Sequence, residues 1–291
     1  MILMNLPIDW LIEPLTFEFM RHALAVGVMA GIVCPVIGSY LIVQRISMLG
    51  DVMAHSVLPG LVIAFFLKVD ILIGAFITGI ISAFTIAWLR VQTRVKVDAA
   101  MALVFSSFFA LGVMLITLFR SKVDLDGYLF GNILGVTTTD VWRTGLVTLV
   151  VLGLVKLFYK EMLFYTFDRI GAEAMGLPVN LIYFGLMSAV TLTIIASMQT
   201  VGVVLVVSLL VGPGITAYLL VKELNQMMIL GAVIGSIASV IGLYISYYVN
   251  VPSGPTIVLV NFTFFVLALL LSPSQGLLTR PETIGDRSNN D

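Results

Sequence analysis

Long apolar runs separated by short polar links make up most of the chain. Nine stretches reach or approach the roughly 20 apolar residues that a helix needs to cross a bilayer. They are 23–44, 52–67, 71–89, 99–119, 141–159, 181–198, 200–221, 228–249 and 255–272. The two longer links, 120–140 and 160–180, leave no room for a soluble domain. The pattern predicts an all-α polytopic membrane protein, a bundle of eight or nine transmembrane helices. The count turns on 200–221, which contains Gly202 and Val211-Gly212-Pro213-Gly214. Proline removes a helix hydrogen bond and the flanking glycines loosen the backbone. Broken backbone is tolerated at membrane depth where it faces protein or a watery cavity. The stretch therefore reads as a kinked span or as a broken, re-entrant segment. The expected organisation is a short extracellular segment at 1–22, a membrane domain over 23–272 and a cytoplasmic polar tail over 273–291.

Composition agrees with this pattern: of 291 residues, 60% are hydrophobic and only 11% charged. A soluble domain carries about 25% charged residues, so a water-soluble enzyme is excluded. The net charge of −1 gives no basic field for nucleic acid. The single cysteine, Cys34, forbids an internal disulfide and a multi-cysteine metal cluster. Residues 1–21 lack the basic start of a cleaved signal peptide, so the first span is expected to insert the chain. Placing 160–180 in the cytoplasm puts Arg45, Arg90, Arg94, Lys96, Lys156, Lys160, Arg169, Lys222, Arg280 and Arg287 inside. Arg21, Lys68, Arg120, Lys122 and Arg143 then lie outside. Ten basic residues against five set the orientation, because short cytoplasmic loops collect Lys and Arg. The pairs Gly27/Gly31 and Gly231/Gly235 have the spacing that lets helices approach closely, but among 25 glycines such pairs arise readily by chance.

Almost every charge falls in a link or a tail. Asp51 does not: it opens the second span, and a charge at membrane depth demands a reason. His55 follows four residues later, on the same helical face. A carboxylate and an imidazole on one face can converge on a divalent ion, and Mn, Fe and Zn all accept such ligands. The same pair could serve as a proton relay, or Ser47 or Asp51 could simply cap the helix. Asp98 is a third candidate, and its bland reading is a helix-start charge favoured by the dipole. His22 reads as an interface residue, and Met48, Met53 and Met101 read as packing before they read as a copper site. There is no Gly-x-x-x-x-Gly-Lys-Ser/Thr for ATP and no hydrolytic triad. The inside link 160–180 is amphipathic, with Gly176 and Pro178 placed to end a short helix. It is suited to a lipid surface or to a partner's groove. The outer link carries Asp124, Asp126 and Tyr128-Leu129-Phe130-Gly131-Asn132, a surface for an extracellular partner.

The run from Gly38 to Gly60, with Ser47-Met48-Leu49-Gly50-Asp51-Val52-Met53-Ala54-His55-Ser56 at its centre, resembles the membrane permease of bacterial manganese/zinc/iron ABC importers. Asp98 to Ser107, Tyr128 to Leu134, Glu173-Ala174-Met175-Gly176-Leu177-Pro178 and Gly202 to Pro213 resemble further blocks of that family, in order, over about 38–275. The resemblance implies a multi-pass permease in the bacterial plasma membrane that works as a homodimer. It implies two copies of a separate cytoplasmic ABC ATPase and an extracellular metal-binding protein as partners. It places the transported ion at Asp51 and His55, with Asp98 at a position of less defined role. It places coupling to the ATPase at Asp168, Glu173, Ala174, Gly176, Leu177 and Pro178. The chain itself would be no enzyme and would hold no cofactor. Its cargo would be a divalent ion, manganese first and zinc or iron as alternatives. An ion-coupled secondary transporter is the competing class.

Overall fold

The computed structural model describes residues 12–119, 131 and 133–272. Residues 1–11, Asp124, Asp126, Tyr128 to Phe130, Asn132 and the tail 273–291 lie outside the described residues. Every regular element within them is helical, as hydrocarbon requires, because a helix satisfies its own backbone polar groups. After a 3-10 turn at Glu13–Thr16 come α1 (Glu18–Val43), α2 (Leu49–Ser56), α3 (Leu58–Leu67), α4 (Ile71–Gln92) and α5 (Val97–Leu118). A second 3-10 turn at Ile133–Gly135 leads into α6 (Thr138–Leu157), α7 (Tyr159–Phe167) and α8 (Arg169–Ala174). The chain finishes with α9 (Val179–Val201), α10 (Val203–Leu220), α11 (Leu224–Val249) and α12 (Ser253–Leu271).

Among the described residues, eight helical segments are long and apolar enough to cross a membrane, with α2 and α3 together making one of them. The pair α6 and α7 passes the same test jointly and is bent by 70°. Both counts expected from the apolar pattern are therefore present, and within 200–221 the break falls at Gly202 and not at Pro213. α10 runs unbroken through Pro213. The discontinuity sits before it at Gly202, which has φ 84° and ψ 158° and is the single residue between α9 and α10. That backbone region is essentially closed to residues with a Cβ.

The central contact is the crossing of α1 and α11, the most extensive helix pairing in the molecule. A Cβ built on Gly31 would stand 2.7 Å from the backbone carbonyl of Gly235, and one on Gly235 would strike the Gly31 carbonyl oxygen. One member of each glycine pair, Gly31 and Gly235, is thus the place where two backbones touch, whereas Gly27 meets the side chains of Leu243 and Ser239. α10 lies against the same post, where Gly38 faces the Leu210 carbonyl at backbone contact. Gly242 of α11 receives Ile257 of α12 in the same manner. Lipid offers helices no hydrophobic reward for pairing, so close backbone approach through small residues supplies the attraction.

Polar contacts fix which helix ends lie together. Arg143 at the start of α6 is 3.6 Å from Asp70, the N-cap of α4. Gln44 after α1 donates to Thr166 of α7 at 3.3 Å. These pairings match the alternation of spans: the first joins two ends assigned outside by the charge count, the second two ends assigned inside. His22 lies 3.9 Å from Glu18, one turn earlier at the outer start of α1.

Gly31→Leu is expected to force α1 and α11 apart and to destabilise the detergent-solubilised protein by about 1–3 kcal/mol or more. Gly153→Ala, at a position with nothing within 4 Å of the added carbon, is expected to be neutral or slightly stabilising. Thermal unfolding of the two variants side by side checks both outcomes.

Candidate functional site

α2 is only eight residues long and begins without a side-chain cap, Met48 occupying the cap position. Neither Ser47 nor Asp51 plays the capping role that the sequence allowed. Asp51 sits in the first turn and His55 in the last. Gly50, just before Asp51, abuts the Leu210 side chain, so α2 leans directly on α10. Val57 separates α2 from α3, and Pro59 in the first turn of α3 lacks an N–H that would have no helical partner there. The Thr78 hydroxyl of α4 donates to the Val57 carbonyl at 3.3 Å and steadies this joint.

Asp51 and His55 share one face. Asp51 Oδ1 is 3.5 Å from His55 Nδ1, and Nδ1 is 3.0 Å from the Asp51 backbone oxygen. A carbonyl oxygen can only accept, so Nδ1 carries the hydrogen and donates it. In the neutral ring Nε2 then keeps the lone pair that a cation can take. The imidazole makes edge contacts with two rings of α5, Phe105 at 5.1 Å and Phe109 at 5.8 Å between centroids. Those rings are stacked on each other at 6.0 Å. The backbone carbonyl fixes one nitrogen and the phenyl pair fixes the ring plane. The His55 side chain is 18% exposed and that of Asp51 is 45% exposed, so the pair opens outward from the subunit. Beside it α5 presents Leu103, Met114 and Leu118, all exposed.

Asp98 stands apart. It is exposed in the first turn of α5, seven residues before Phe105, which is about 10 Å along the axis. It lines a separate cavity of about 450 Å³ with Gln44, Arg45, Tyr165, Thr166 and Arg169. Among the described residues no three or more His, Cys, Asp or Glu side chains gather where they could hold a metal ion. The three methionines are scattered in environment: Met53 and Met101 are buried, and Met48 is exposed.

The inside link folds as expected from its punctuation. Asp168 accepts from the Gly171 amide at 2.8 Å and caps α8. At the other end Gly176, with φ 78°, places its amide on the Glu173 carbonyl, and Leu177 reaches back to the Ala172 carbonyl. This is a glycine-terminated helix stop, with Pro178 following it. Glu173, Ala174, Gly176 and Pro178 are exposed, whereas Leu177 is half-buried. Ile170 and Met175 are 82% and 75% exposed, a rigid apolar tip standing off the bundle.

The comparisons with known proteins agree with this architecture from end to end. Residues 16–272 match the ABC 3 transport family. The chain belongs to that family. This ABC 3 chain is 43% identical over 262 residues to the manganese transport system membrane protein MntC of Listeria monocytogenes, covering 90% of this chain and 94% of that protein. It is 38% identical over 271 residues to the chelated iron transport system membrane protein YfeD of Yersinia pestis, covering 92% and 90%. Among solved structures, PsaBC from Streptococcus pneumoniae in complex with Fab superposes with a TM-score of 0.84 at 38% identity, covering 93% of this chain and 98% of that one.

The sequence alone gave no reason to single out Phe105 and Phe109. Their i, i+4 spacing on a lipid-type helix was the available signal, and it is indistinguishable there from ordinary packing. The α8 cap makes a direct test: Asp168→Ala should cost about 1 kcal/mol. It should speed amide hydrogen exchange across residues 169–174 while leaving exchange in α1 and α11 unchanged.

Proposed function

We propose that this chain is the permease subunit of an ATP-driven importer, that two copies form the pathway, and that its cargo is a divalent transition-metal ion, manganese foremost. The observation that carries the reading is the Asp51–His55 pair, held on one helix face in the first half of an apolar span in a chain of the ABC 3 transport family. An ion stripped of water in a low-dielectric passage needs compensating charge and donor atoms. Asp51 supplies an anionic oxygen. His55 supplies Nε2, oriented because Nδ1 is occupied by the Asp51 carbonyl. Two donors are too few for a transition ion, which takes four or more. A second copy, facing the first across the outward-opening pair, would double the set. Four mixed oxygen and nitrogen ligands suit manganese, iron and zinc, and leave binding weak enough for release. The names of the relatives, manganese for MntC and chelated iron for YfeD, support this range of cargo.

The exposed tip at Ile170 and Met175, between the Asp168 cap and the Gly176 stop, would be the point where a separate cytoplasmic ATPase pushes. Glu173, Ala174, Leu177 and Pro178 complete that contact. The chain works as a transport component, with hydrolysis on its partner. An extracellular binding protein would deliver the ion at the opposite end. Asp98, in a cavity with Arg45 and Arg169, belongs to the cytoplasmic exit and not to the ligand set.

The test is manganese and zinc uptake into liposomes carrying this chain with its ATPase, with and without the binding protein. Asp51→Asn and His55→Ala are each expected to lower ATP-dependent uptake by more than about tenfold, at unchanged insertion and ATPase binding. Full uptake by both variants would remove the pair from the pathway. Uptake by the chain without any ATPase would replace the importer with an ion-coupled carrier.

A further inference from the structure

α6 and α11 both pack against α1 and leave a groove between them, with α1 as its floor. The groove encloses about 750 Å³. Ile32 and Val36 line it from α1, Leu152 from α6, and Ile229, Val233 and Ile237 from α11. The last three are exposed, so the groove opens sideways, toward lipid. From Asn225 to Ile237 it follows α11 for about 18 Å, at 1.5 Å per residue. One leaflet of hydrocarbon is about 15 Å deep. The groove therefore runs from the interface that the charge count assigns to the cytoplasm to the middle of the bilayer.

Its polarity is one-ended. Lys156 in the last turn of α6, Tyr159 at the start of α7 and Asn225 in the first turn of α11 line the cytoplasmic end. Deeper in, the one polar lining residue is Ser236, whose hydroxyl donates to the Ala232 carbonyl of its own helix at 2.7 Å. The inner wall is therefore apolar in effect. Among the described residues the Lys156 and Asn225 side chains have neither a hydrogen bond nor an ion pair. The charges next along the chain cancel, Lys160 against Glu161 and Lys222 against Glu223. Lys156 has no acidic residue within four positions and is the surplus cation at this end. A lysine near a helix end ordinarily snorkels to the headgroup layer. Here it lines the mouth of an apolar groove one leaflet deep, together with a hydroxyl and an amide.

We propose that the groove seats one phospholipid of the cytoplasmic leaflet with a net negative headgroup. An acyl chain lies along α11 toward Ile237, and the Lys156 ammonium donates to the phosphate. The Asn225 amide and the Tyr159 hydroxyl donate to the remaining phosphate and ester oxygens. Basic pockets between spanning helices at the cytoplasmic face recognise lipid in this way. The sign of the headgroup follows from Lys156. A zwitterionic headgroup brings its own ammonium, which neutralises the phosphate and is repelled by the lysine; an anionic one leaves the full charge to Lys156. A second copy of the chain is not the occupant, because the copies are proposed to meet at Asp51 and His55, and no residue of α2 or α5 lines the groove. The seat depends neither on the cargo nor on that pair. A lipid held here fills the gap between α6 and α11 and steadies the end of α6 just before its 70° bend into α7.

The experiment is native mass spectrometry of the full-length chain, offered equal amounts of glycerol, ethanolamine and choline phospholipids with identical acyl chains. Wild type is expected to retain the anionic glycerol lipid roughly tenfold over the two zwitterionic ones, the worth of one charge-assisted hydrogen bond. Lys156→Gln, at an exposed position, should abolish the preference while leaving some retention of all three. Lys160→Gln should keep it. Ala232→Phe should fill the groove and remove the preference with Lys156 intact, unchanged thermal unfolding showing that the variant folds. Equal retention of the three lipids by wild type, or an unchanged preference in Lys156→Gln, overturns the proposal. So does an equal loss in Lys160→Gln, which would mean diffuse attraction to a basic surface. A preference that survives in folded Ala232→Phe places the lipid elsewhere and overturns it too.

Discussion

The backbone contact between Gly31 and Gly235 is the constraint on which the rest of the bundle depends. Two long helices meet there with no side chain between them, and such proximity is how a protein gains cohesion in a solvent as oily as its own interior. α10 is seated on this pair through Gly38, α12 through Gly242, and Gly50 rests against Leu210 of α10. The chain of close contacts therefore ends one residue before Asp51. The position of the carboxylate is inherited from a helix crossing in which it takes no part. Displacing α1 from α11 would move α10, and with it the floor under α2.

Around the pair itself the division of labour is chemical. His55 has one nitrogen committed to a carbonyl of its own helix and two phenyl edges against its ring. Its tautomer and orientation are thus fixed within one subunit, before any second copy or ion arrives. Asp51 is the more exposed partner and keeps the freedom to adjust.

How much of this was legible in the sequence depended on how local the cause was. The spans were legible because hydrocarbon imposes a length and a polarity on each helix separately. The face shared by Asp51 and His55 followed from helical periodicity, and Gly176 with Pro178 announced the end of α8. Causes that lie between elements were hidden. The stretch 200–221 offered both Gly202 and Gly212-Pro213 as places for a break, and only packing decides between them: α10 absorbs Pro213 within a continuous helix, and the chain turns at Gly202. Gly31 and Gly235 looked like chance pairs because nothing local says which glycine meets which. Asp98 resembled a ligand by chemistry, yet its place at the start of α5 puts it with Arg45 and Arg169.

The one-residue joint at Gly202 has an evolutionary consequence. Its φ of 84° and ψ of 158° leave no room for a Cβ, and it couples two spans without slack. Side chains along the helices can be exchanged for others of similar size, but at this joint the backbone admits almost no alternative to glycine. The letter at position 202 is set by stereochemistry before any question of selectivity arises. Any sequence that keeps this one-residue joint with the same backbone angles inherits the requirement for glycine along with the architecture.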